Sequence, residues 1–594
     1  MTQPTLSAAL LALTAFLAAP TFAEDAPEAR AYDIASLTRA ESHPAPHLGL
    51  ARSQPDGGTL SFDDADDDAD RLTLSTEALY RFLIQEMAQA GVPRPGQFDA
   101  RGGILRVLAP KSTHTHLAAS LTRLRAQLGR TATLEVRLVA LTPAQAAAMG
   151  VAGGPLGKKQ RDLLAKGKPF ATVRLVARHR ETVSGALLSR STFLGDFEVN
   201  QTGTIPVLNP VIEELLEGVV AEVTCRLPRV AGGHALLDCR VEGARRFGAQ
   251  ASIPFGPGGI IDLPVVDHLA FGGSLRLRVG EVALLGAVRS DGVDGKPRVV
   301  AALVTLRAVT AQPQADPKAL SLRAYDLSGL AGPRSFRFDR PTWPSDTGSS
   351  SSMTFRDPDD APSAPLGKVA VRELVLNHVS PKSWASGQGK RVGSWVEVVS
   401  GGLAVAQSAE GHQRLAAFLQ GLLPTPSALR YELIVVQTSK LLSATATLSS
   451  QECEAILGSG TVRSRATIGG LSGQTVELLS RHERRFLADI ERSSGGGVAS
   501  TVQVDDPIMG TLAAGLSLRL SGSVTGARIT LAADLDLRGP ATLRATHTTW
   551  GVVELYTATH RRVQREASLA SGEGVVLAVQ PGKTPEVYLL RVWQ

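Results

Sequence analysis

The feature that most constrains this chain is a long internal repeat. The hexapeptide FLGDFE at residues 193–198 returns as FLADIE at residues 486–491, which is 293 positions later (486 minus 193). An opening line repeats at the same offset, as AYDI at residues 31–34 and AYDL at residues 324–327. Because landmarks far apart in the chain share one offset, the sequence predicts a tandem duplication of one large unit.

The length of the chain and the repeat together predict its domain organisation. At 594 residues the chain is too long for a single hydrophobic core. Two prolines, Pro313 and Pro317, mark a linker between the repeated units. The predicted boundaries are a signal peptide at 1–23, a first α+β module with an acidic loop at 29–130, a first β-rich domain at 131–310, a linker at 311–321, a second α+β module with a loop rich in Ser, Pro and Asp at 322–428, and a second β-rich domain at 429–594.

Each unit begins with the pattern of a helix, a strand and a second helix that starts at a serine cap. The predicted elements are a helix at 77–90, a strand at 103–107 and a helix capped by Ser112 in the first unit, and a helix at 369–376, a strand at 402–405 and a helix capped by Ser408 in the second. This order predicts a compact α+β layer at the start of each unit.

The remainder of each unit has the pattern of antiparallel strands. Residues 134–139 alternate apolar and charged side chains, which is typical of a sheet with one wet face. The predicted hairpins are 219–227 with 235–241 around Gly232, and 516–520 with 529–537 around Gly522. A content of 58 Gly and 34 Pro against 5% aromatic residues favours short strands with many turns. The fold class that we predict is therefore α+β, as two tandem units that each continue into a β-rich domain.

Charge and the N-terminal segment bear on location and partners. The net charge of +6 is the small difference between 62 basic and 56 acidic residues, and no basic run is long enough to follow a phosphate backbone, so we predict no nucleic-acid partner. An apolar run at residues 6–19, followed by the segment PTFA at 20–23 with small residues at the cleavage positions, predicts a secretory signal peptide, although no Lys or Arg precedes the run. A membrane-anchoring helix is the competing interpretation, but the run is shorter than the ~20 residues that span a bilayer. We expect an exported chain of the periplasm or outer membrane, with no transmembrane helix in its mature part.

Several motifs in this order resemble a known family. They are SPKSW at 380–384, GLAVAQS at 402–408, a His-bearing helix and an LEVR strand at 134–137, and then a glycine before a strand (Gly218 or Gly515), IDLPV at 261–265 and the Gly280-Glu281 turn. Together they resemble the secretin-related family of type II and III secretion system proteins found in planctomycete-like bacteria, present here as a tandem duplication. The resemblance implies an outer-membrane ring of many subunits, with α+β modules side by side and a β-domain that forms a gated barrel.

One segment of the family pattern is missing, and this shapes the predicted function. Secretins carry a segment of the type VPxLGxIPxxGxLF before the final strand, whereas the corresponding gaps here, 286–298 and 578–586, do not contain it. We therefore predict a non-catalytic, secretin-like scaffold of the cell envelope, without a working pore, that binds protein partners or itself. Two alternatives stay open: an outer-membrane secretin for protein export, and a secreted enzyme that uses Asp196 and Glu198.

The carboxylates of the repeated line are the strongest candidates for chemistry. The pairs are Asp196 with Glu198, and Asp489 with Glu491. Strand alternation would place both members of a pair on one face, where they could do acid–base work. An ion-paired sheet face is the more common outcome, and Arg190 or Arg485 are the obvious partners. We therefore assign no catalytic residue.

Histidine and cysteine add no site. His114 and His116 diverge at a helix start without a third ligand at metal spacing, so we predict capping or surface histidines. Cys225 and Cys239 could form a disulfide between neighbouring strands or be two small buried residues. The acidic segment at 62–70 has no EF-hand spacing, which favours a solvated loop over calcium. The sequence predicts no metal and no cofactor.

Overall fold

The structure is a computed structural model, and it describes most of the chain after residue 26. The described residues are 27–34, 37, 48–50, 74, 76–101, 103–128, 130–149, 155–165, 168–200, 207–227, 232–246, 251–255, 259–291, 297–310, 321–327, 336, 367–384, 394–399, 402–422, 426–440, 442–494, 503–548 and 551–594. The predicted signal peptide, the acidic segment at 62–70, the loop rich in Ser, Pro and Asp of the second module (which includes 355–360) and nearly all of the linker lie outside them.

The described part of the chain contains seven α-helices and 28 strands. The helices are α1 (Thr76–Gln89), α2 (Lys111–Leu128), α3 (Pro143–Met149), α4 (Lys158–Ala165), α5 (Lys368–His378), α6 (Ala409–Leu422) and α7 (Ser450–Ser459). The strands are β1 (Glu28–Asp33), β2 (Gly49–Leu50), β3 (Gln97–Arg101), β4 (Ile104–Ala109), β5 (Thr131–Leu141), β6 (Lys168–Arg178), β7 (Thr182–Asn200), β8 (Val207–Arg226), β9 (Ala235–Arg246), β10 (Ala251–Phe255), β11 (Gly259–Leu263), β12 (Val265–Leu277), β13 (Val282–Asp291), β14 (Pro297–Val309), β15 (Ser321–Asp326), β16 (Trp395–Val399), β17 (Gly402–Gln407), β18 (Ala428–Gln437), β19 (Thr447–Leu448), β20 (Thr461–Leu471), β21 (Gln474–Ser494), β22 (Gln503–Thr525), β23 (Arg528–Arg538), β24 (Thr542–Thr548), β25 (Gly551–Thr557), β26 (His560–Leu569), β27 (Gly574–Gln580) and β28 (Glu586–Trp593).

The predicted α+β fold class is wrong, because the protein is predominantly β. Strands hold 63% of the described residues and helices only 20%. The physical reason is strand length: β7 and β8 run for 19 and 20 residues, and β21 and β22 for 21 and 23. We expected short strands from the Gly and Pro content, but these long hairpins and two large sheets outweigh the helices.

The predicted helix–strand–helix elements are present and form two small layers. Antiparallel sheets β1-β4-β3 and β15-β17-β16 accompany α1 with α2 and α5 with α6, respectively. The predicted cap at Ser408 is confirmed, since its Oγ accepts the Gly411 backbone N–H at 3.2 Å. Ser112 is not a cap, because α2 already begins at Lys111.

The rest of the chain forms two nine-stranded sheets, which we call sheet I and sheet II. Sheet I has the order β7-β8-β9-β12-β21-β22-β23-β26, with β2 beside β8. Sheet II has the order β19-β27-β28-β18-β20-β13-β14-β5-β6. First-half and second-half strands occupy opposite ends of both sheets, so the halves meet at β12–β21 in sheet I and at β13–β20 in sheet II.

One hydrophobic core fills the space between the two sheets and is shared by both halves. It includes Phe271 from the first half and Tyr431 from the second, each fully buried. Burial of one such aromatic side chain is worth about 2–3 kcal/mol. The sheets approach closely where the halves meet: a Cβ at Gly286 would lie 2.5 Å from Phe271 Cδ1, and one at Gly273 would overlap the carbonyl oxygen of Gly469. The two halves therefore fold against one another as a continuous β-sandwich.

The predicted hairpins are partly correct. β8 pairs with β9 across a turn with Gly232 at φ 75°, as the sequence indicated. The predicted turn at Gly522 is wrong, because β22 continues through it to Thr525 and the chain turns at Gly526, where φ is 62°.

Candidate functional site

The repeated hexapeptides lie at matching places in the two long hairpins. The β7–β8 ladder has a β-bulge between Leu194 and Asp196, and the β21–β22 ladder has one between Leu487 and Asp489. At each bulge the aspartate Oδ1 accepts the backbone N–H of the next residue at 2.8 Å. These carboxylates therefore satisfy backbone groups at an irregularity in the strand.

A second carboxylate reaches each bulge from a small hairpin packed against the long one. Leu194 N–H donates to Asp262 of β11, and Leu487 N–H donates to Glu554 of β25, both at 3.3 Å. The side chains of Glu198 and Glu491 are not among those that the structure describes. The repeated line thus fixes hairpin geometry, and the predicted acid–base pairing of Asp196 with Glu198 stays untested.

The predicted arginine partners of these aspartates are wrong. Arg190 forms an exposed ion pair with Glu214 at 3.2 Å. Arg485 forms a buried one with Glu213 at 2.6 Å and also donates to the carbonyl of Gly195 at 3.3 Å. Arg485 directly precedes the second hexapeptide in the sequence. Its guanidinium binds the backbone of the first hexapeptide, at Gly195. No local sequence signal points to this contact, because its partners are 272 and 290 positions away.

Two glycines hold the long hairpins at equivalent points. Gly218 of β8 has φ 137° and Gly515 of β22 has φ 138°, a conformation that is nearly restricted to glycine. A Cβ at Gly218 would overlap the carbonyl oxygen of Leu187, and one at Gly515 would overlap that of Ser480. The sequence pattern places each glycine before a strand, but each lies inside one, where the close approach of the paired strand leaves no room for a larger residue.

The polar face of sheet I is a network of arginine–carboxylate pairs. The pairs, with their shortest distances, are Arg226–Asp238 (2.6 Å), Arg240–Glu242 (2.6 Å), Arg481–Glu483 (2.6 Å), Arg519–Glu477 (3.1 Å), Arg538–Asp536 (3.3 Å) and Arg562–Asp534 (3.0 Å). Burial would raise the pKa of Glu242, but contacts with His268 and Arg240 outweigh it and lower that pKa to about 2. Carboxylates held ionised in this way are poor proton donors at neutral pH.

The predicted surface or capping role of His114 is wrong. Its ring is fully buried, with Nδ1 2.8 Å from Tyr32 Oη and Nε2 2.8 Å from the carbonyl of Glu28. The second half repeats this arrangement: His412 Nδ1 lies 2.7 Å from Tyr325 Oη. Burial lowers the pKa of His412 to about 4. In each half this contact joins the first strand of the module (β1 or β15) to its second helix (α2 or α6). The sequence signal was a Tyr and a His at equivalent places in both units.

The cysteines are buried thiols, and no disulfide joins them in the structure. Register places Cys225 opposite Leu237 and Cys239 opposite Val223, so the two cysteines are offset along neighbouring strands. Burial raises the pKa of Cys225 to about 12. In the described ranges no cluster of three His, Cys, Asp or Glu side chains could hold a metal ion. None of the helices there is long and apolar enough to cross a bilayer.

One row of paired residues runs straight across sheet I and repeats after four strands. The row is Leu188, Gly218, Ala244, His268, Arg481, Gly515, Arg538 and His560. The two glycines are its second and sixth members and the two histidines its fourth and eighth. Nε2 of His268 lies 3.6 Å from Glu242, and Nε2 of His560 lies 3.1 Å from Asp536. The join from His268 to Arg481 therefore links the end of one four-strand set to the start of the next.

Comparisons with known proteins find little. No protein-family model and no curated protein sequence matches the chain. A solved structure that it resembles is the InvG secretin domain beta-barrel from the Salmonella SPI-1 injectisome NC-base, at 9% sequence identity and a TM-score of 0.20. That similarity covers 37% of this chain and 79% of the other. A TM-score this low supports no conclusion about shared function.

Proposed function

We propose that this protein is a non-catalytic, exported, secretin-like scaffold of the cell envelope whose copies join edge to edge by strand pairing. The observation that carries the proposal is the join between its halves. Both sheets continue across that join by antiparallel pairing, and the strands equivalent to the joined ones lie at or next to the ends of the two sheets. We also infer that the halves descend from one duplicated unit, as the shared bulges, glycines and Tyr–His pairs suggest.

Sheet I supplies the first of the matching edges. In its repeating row, His560 of β26 is equivalent to His268, and Leu188 of β7 is equivalent to Arg481. In the described part of the chain, no strand pairs with the outer edge of β26 or of β7. Leu187 and Leu188 on that β7 edge are 55% and 39% exposed. Pairing of β26 with β7 of another copy would repeat the internal β12–β21 join.

Sheet II also has two strand edges that match the strands joined inside the chain. Glu135 and Glu432 hold equivalent places, and aligning them makes β27 the counterpart of β13 and β6 the counterpart of β20. β6 is the last strand of its sheet, and its Val176 is 61% exposed. Among the described residues, the only strand that pairs with the β27 edge is the two-residue β19 at its start, and Val576 N–H donates to the Ala446 carbonyl just beyond it. A second copy could therefore continue both sheets at once.

The small helix–sheet module at the start of each half also supports a join between copies. Ala404 and Ala406 on β17 belong to the buried cluster of Leu79 in α1, and Arg81 of α1 pairs with Glu397 of β16 at 3.3 Å. The helices of the first module thus cover the sheet of the second. On the equivalent sheet face of the first module, the described residue Ile104 is 40% exposed. On helix α5, whose counterpart α1 forms the internal contact, Val369 is 59% exposed.

An interface of this kind is heterologous, since two different edges of one chain meet. Repeating it gives a closed ring if the rotation per chain closes, and an open filament if it does not. The non-catalytic part of the proposal is supported by the arginine-paired carboxylates of sheet I and by the backbone contacts of Asp196 and Asp489.

Cysteine cross-linking tests the predicted register. By the internal Gly272–Glu477 pair, Gln564 of one copy should face Ser184 of the next. A chain carrying Ser184→Cys and Gln564→Cys, treated with a short thiol cross-linker, should give a ladder of dimers, trimers and larger products on a denaturing gel. The native thiols are buried and do not interfere.

A matched control displaces one cysteine along the same strand. Ser568→Cys in place of Gln564→Cys moves the thiol by four residues, or roughly 13 Å, and should abolish the ladder. Negative-stain imaging of the full-length protein then separates a ring from a filament. A monomer at every concentration with no ladder would refute the scaffold, and a ring with a central channel would restore the export-pore alternative.

A further inference from the structure

A groove of about 390 Å³ opens on the outer face of sheet II, where the two halves meet. Leu284, Val299 and Ala301 of the first half form its floor, and Ala146 of α3 lies on one side. Residues 462–465 of β20, from the second half, form the other wall. Its volume falls within the roughly 300–1,000 Å³ of small-ligand pockets.

The groove exists because two strands separate. β13 and β20 pair only at Gly286–Ile468 and Ala287–Thr467. Beyond these pairs β13 remains bound to β14 as far as Asp291, and β20 remains bound to β18 back to Thr461. In the structure as described, the edge of β20 that faces the groove therefore has no strand partner from Thr461 to Ala466.

Positive charge surrounds the apolar floor. Arg289, Arg463 and Arg465 line the groove, and none of the described residues that line it is acidic. Arg465 pairs with Glu432 at 3.1 Å, beneath the groove. Arg463 is exposed, and its carbonyl oxygen accepts a hydrogen bond from the guanidinium of Arg289 at 2.5 Å. Arg289 thus occupies an acceptor on β20 that an added strand would use.

We propose that this groove binds an extended acidic peptide segment of a partner protein, which pairs with the open edge of β20. The backbone of the peptide would take the hydrogen-bonding groups of that edge, and Arg289 would exchange its bond to the Arg463 carbonyl for one to a peptide carboxylate. One apolar side chain would enter the floor, and further carboxylates would contact Arg463 and Arg465. A fatty acid could also place its acyl chain on the apolar floor and its carboxylate beside the arginines. It would cover the β20 edge without satisfying the backbone groups there, so the peptide is favoured. This inference does not depend on whether copies join edge to edge.

Fluorescence anisotropy with the full-length protein tests the proposal. The probe is a fluorescein-labelled hexapeptide of alternating valine and glutamate. It should bind saturably, and Arg463→Glu should weaken binding by about tenfold or more, because a charge-assisted contact becomes a repulsive one. Arg544→Glu on β24 is the matched control, since it makes the same charge change on an exposed strand that does not line the groove, and it should leave binding unchanged.

Three results would overturn the proposal. One is no binding of the valine–glutamate peptide at millimolar concentration, and another is equal binding of a valine–lysine peptide. The third is binding of fluorescent dodecanoate, lost in Arg463→Glu, without binding of the peptide, which would make the groove a lipid site. An unchanged melting temperature of Arg463→Glu shows that a loss of binding does not come from unfolding.

Discussion

Replacement of Gly515 by alanine should open the second long hairpin. Gly515 has φ 138°, and an alanine Cβ there would overlap the carbonyl oxygen of Ser480 and lie 2.7 Å from Arg481 Cα. Both are backbone atoms of the paired strand, so relief requires the strands to move apart by about 1 Å. We expect the backbone strain to cost about 1–3 kcal/mol and the loss of about two ladder hydrogen bonds to cost about 1 kcal/mol each. The total is about 3–5 kcal/mol.

Gly526 in the turn of the next hairpin provides the control. Its φ is 62°, but a Cβ there would meet no atom within 4 Å. Gly526→Ala should therefore cost only the left-handed strain of about 1–2 kcal/mol. The two variants differ in the clash with the paired strand, so a gap of about 2–3 kcal/mol between them measures that contact.

Amide hydrogen exchange read by mass spectrometry is the suitable assay, because it reports local opening in a chain too large for one two-state transition. Peptides from β21 and β22 in Gly515→Ala should exchange roughly 30- to 150-fold faster than in Gly526→Ala, at tenfold per 1.4 kcal/mol. Gly218→Ala should do the same to β7 and β8. If Gly515→Ala and Gly526→Ala exchange within about threefold of each other, the close approach of β22 to β21 does not constrain the hairpin and the reasoning fails.

Three further outcomes are expected. Arg485→Ala leaves the largely buried carboxylate of Glu213 unpaired and should destabilise the protein by about 3 kcal/mol in urea unfolding. Arg190→Ala removes an exposed pair and should cost less than about 1 kcal/mol, so equal losses in the two variants would contradict this. The folded pKa of His412 is depressed to about 4 from the usual 6.5, so its contribution to stability is full above pH 6.5 and is lost as pH falls towards 4, by about 3 kcal/mol; melting temperatures of the wild type and His412→Gln should converge at low pH. Cys225 should react with Ellman's reagent only after denaturation, and labelling of the folded protein would show that the core opens there.

Local patterns in the sequence were sufficient to locate many elements. Apolar spacing and a serine cap predict α6, and the cap forms because Ser408 needs only its own helix. Positions that depend on distant partners were not predictable. Gly522 and Gly526 are both suitable turn residues, and the pairing of β22 with β23 selects the second.

The same limit applies to the candidate site. Arg485 was paired with nearby aspartates because sequence shows only proximity along the chain, whereas its partner Glu213 is brought to it by the fold of the other half. The α+β assignment failed because the longest strands are not apparent from the sequence. Their bulges interrupt the alternation of apolar and polar residues around Asp196 and Asp489, so the outer parts of these strands lack a strand pattern. Tyr32 recurs as Tyr325 after 293 positions and His114 as His412 after 298, and this recurrence was the available sign that these histidines have a fixed structural role.

The join from β12 to β21 lies within one polypeptide, and this has a consequence for assembly. Tethering two binding partners gives each an effective concentration near the millimolar range, so the internal join forms on folding at any dilution. Joins between separate chains lack this tether, so their formation depends on protein concentration. If copies assemble as proposed, every assembly contains an even number of units, and dilution should release whole two-unit chains whose halves stay joined.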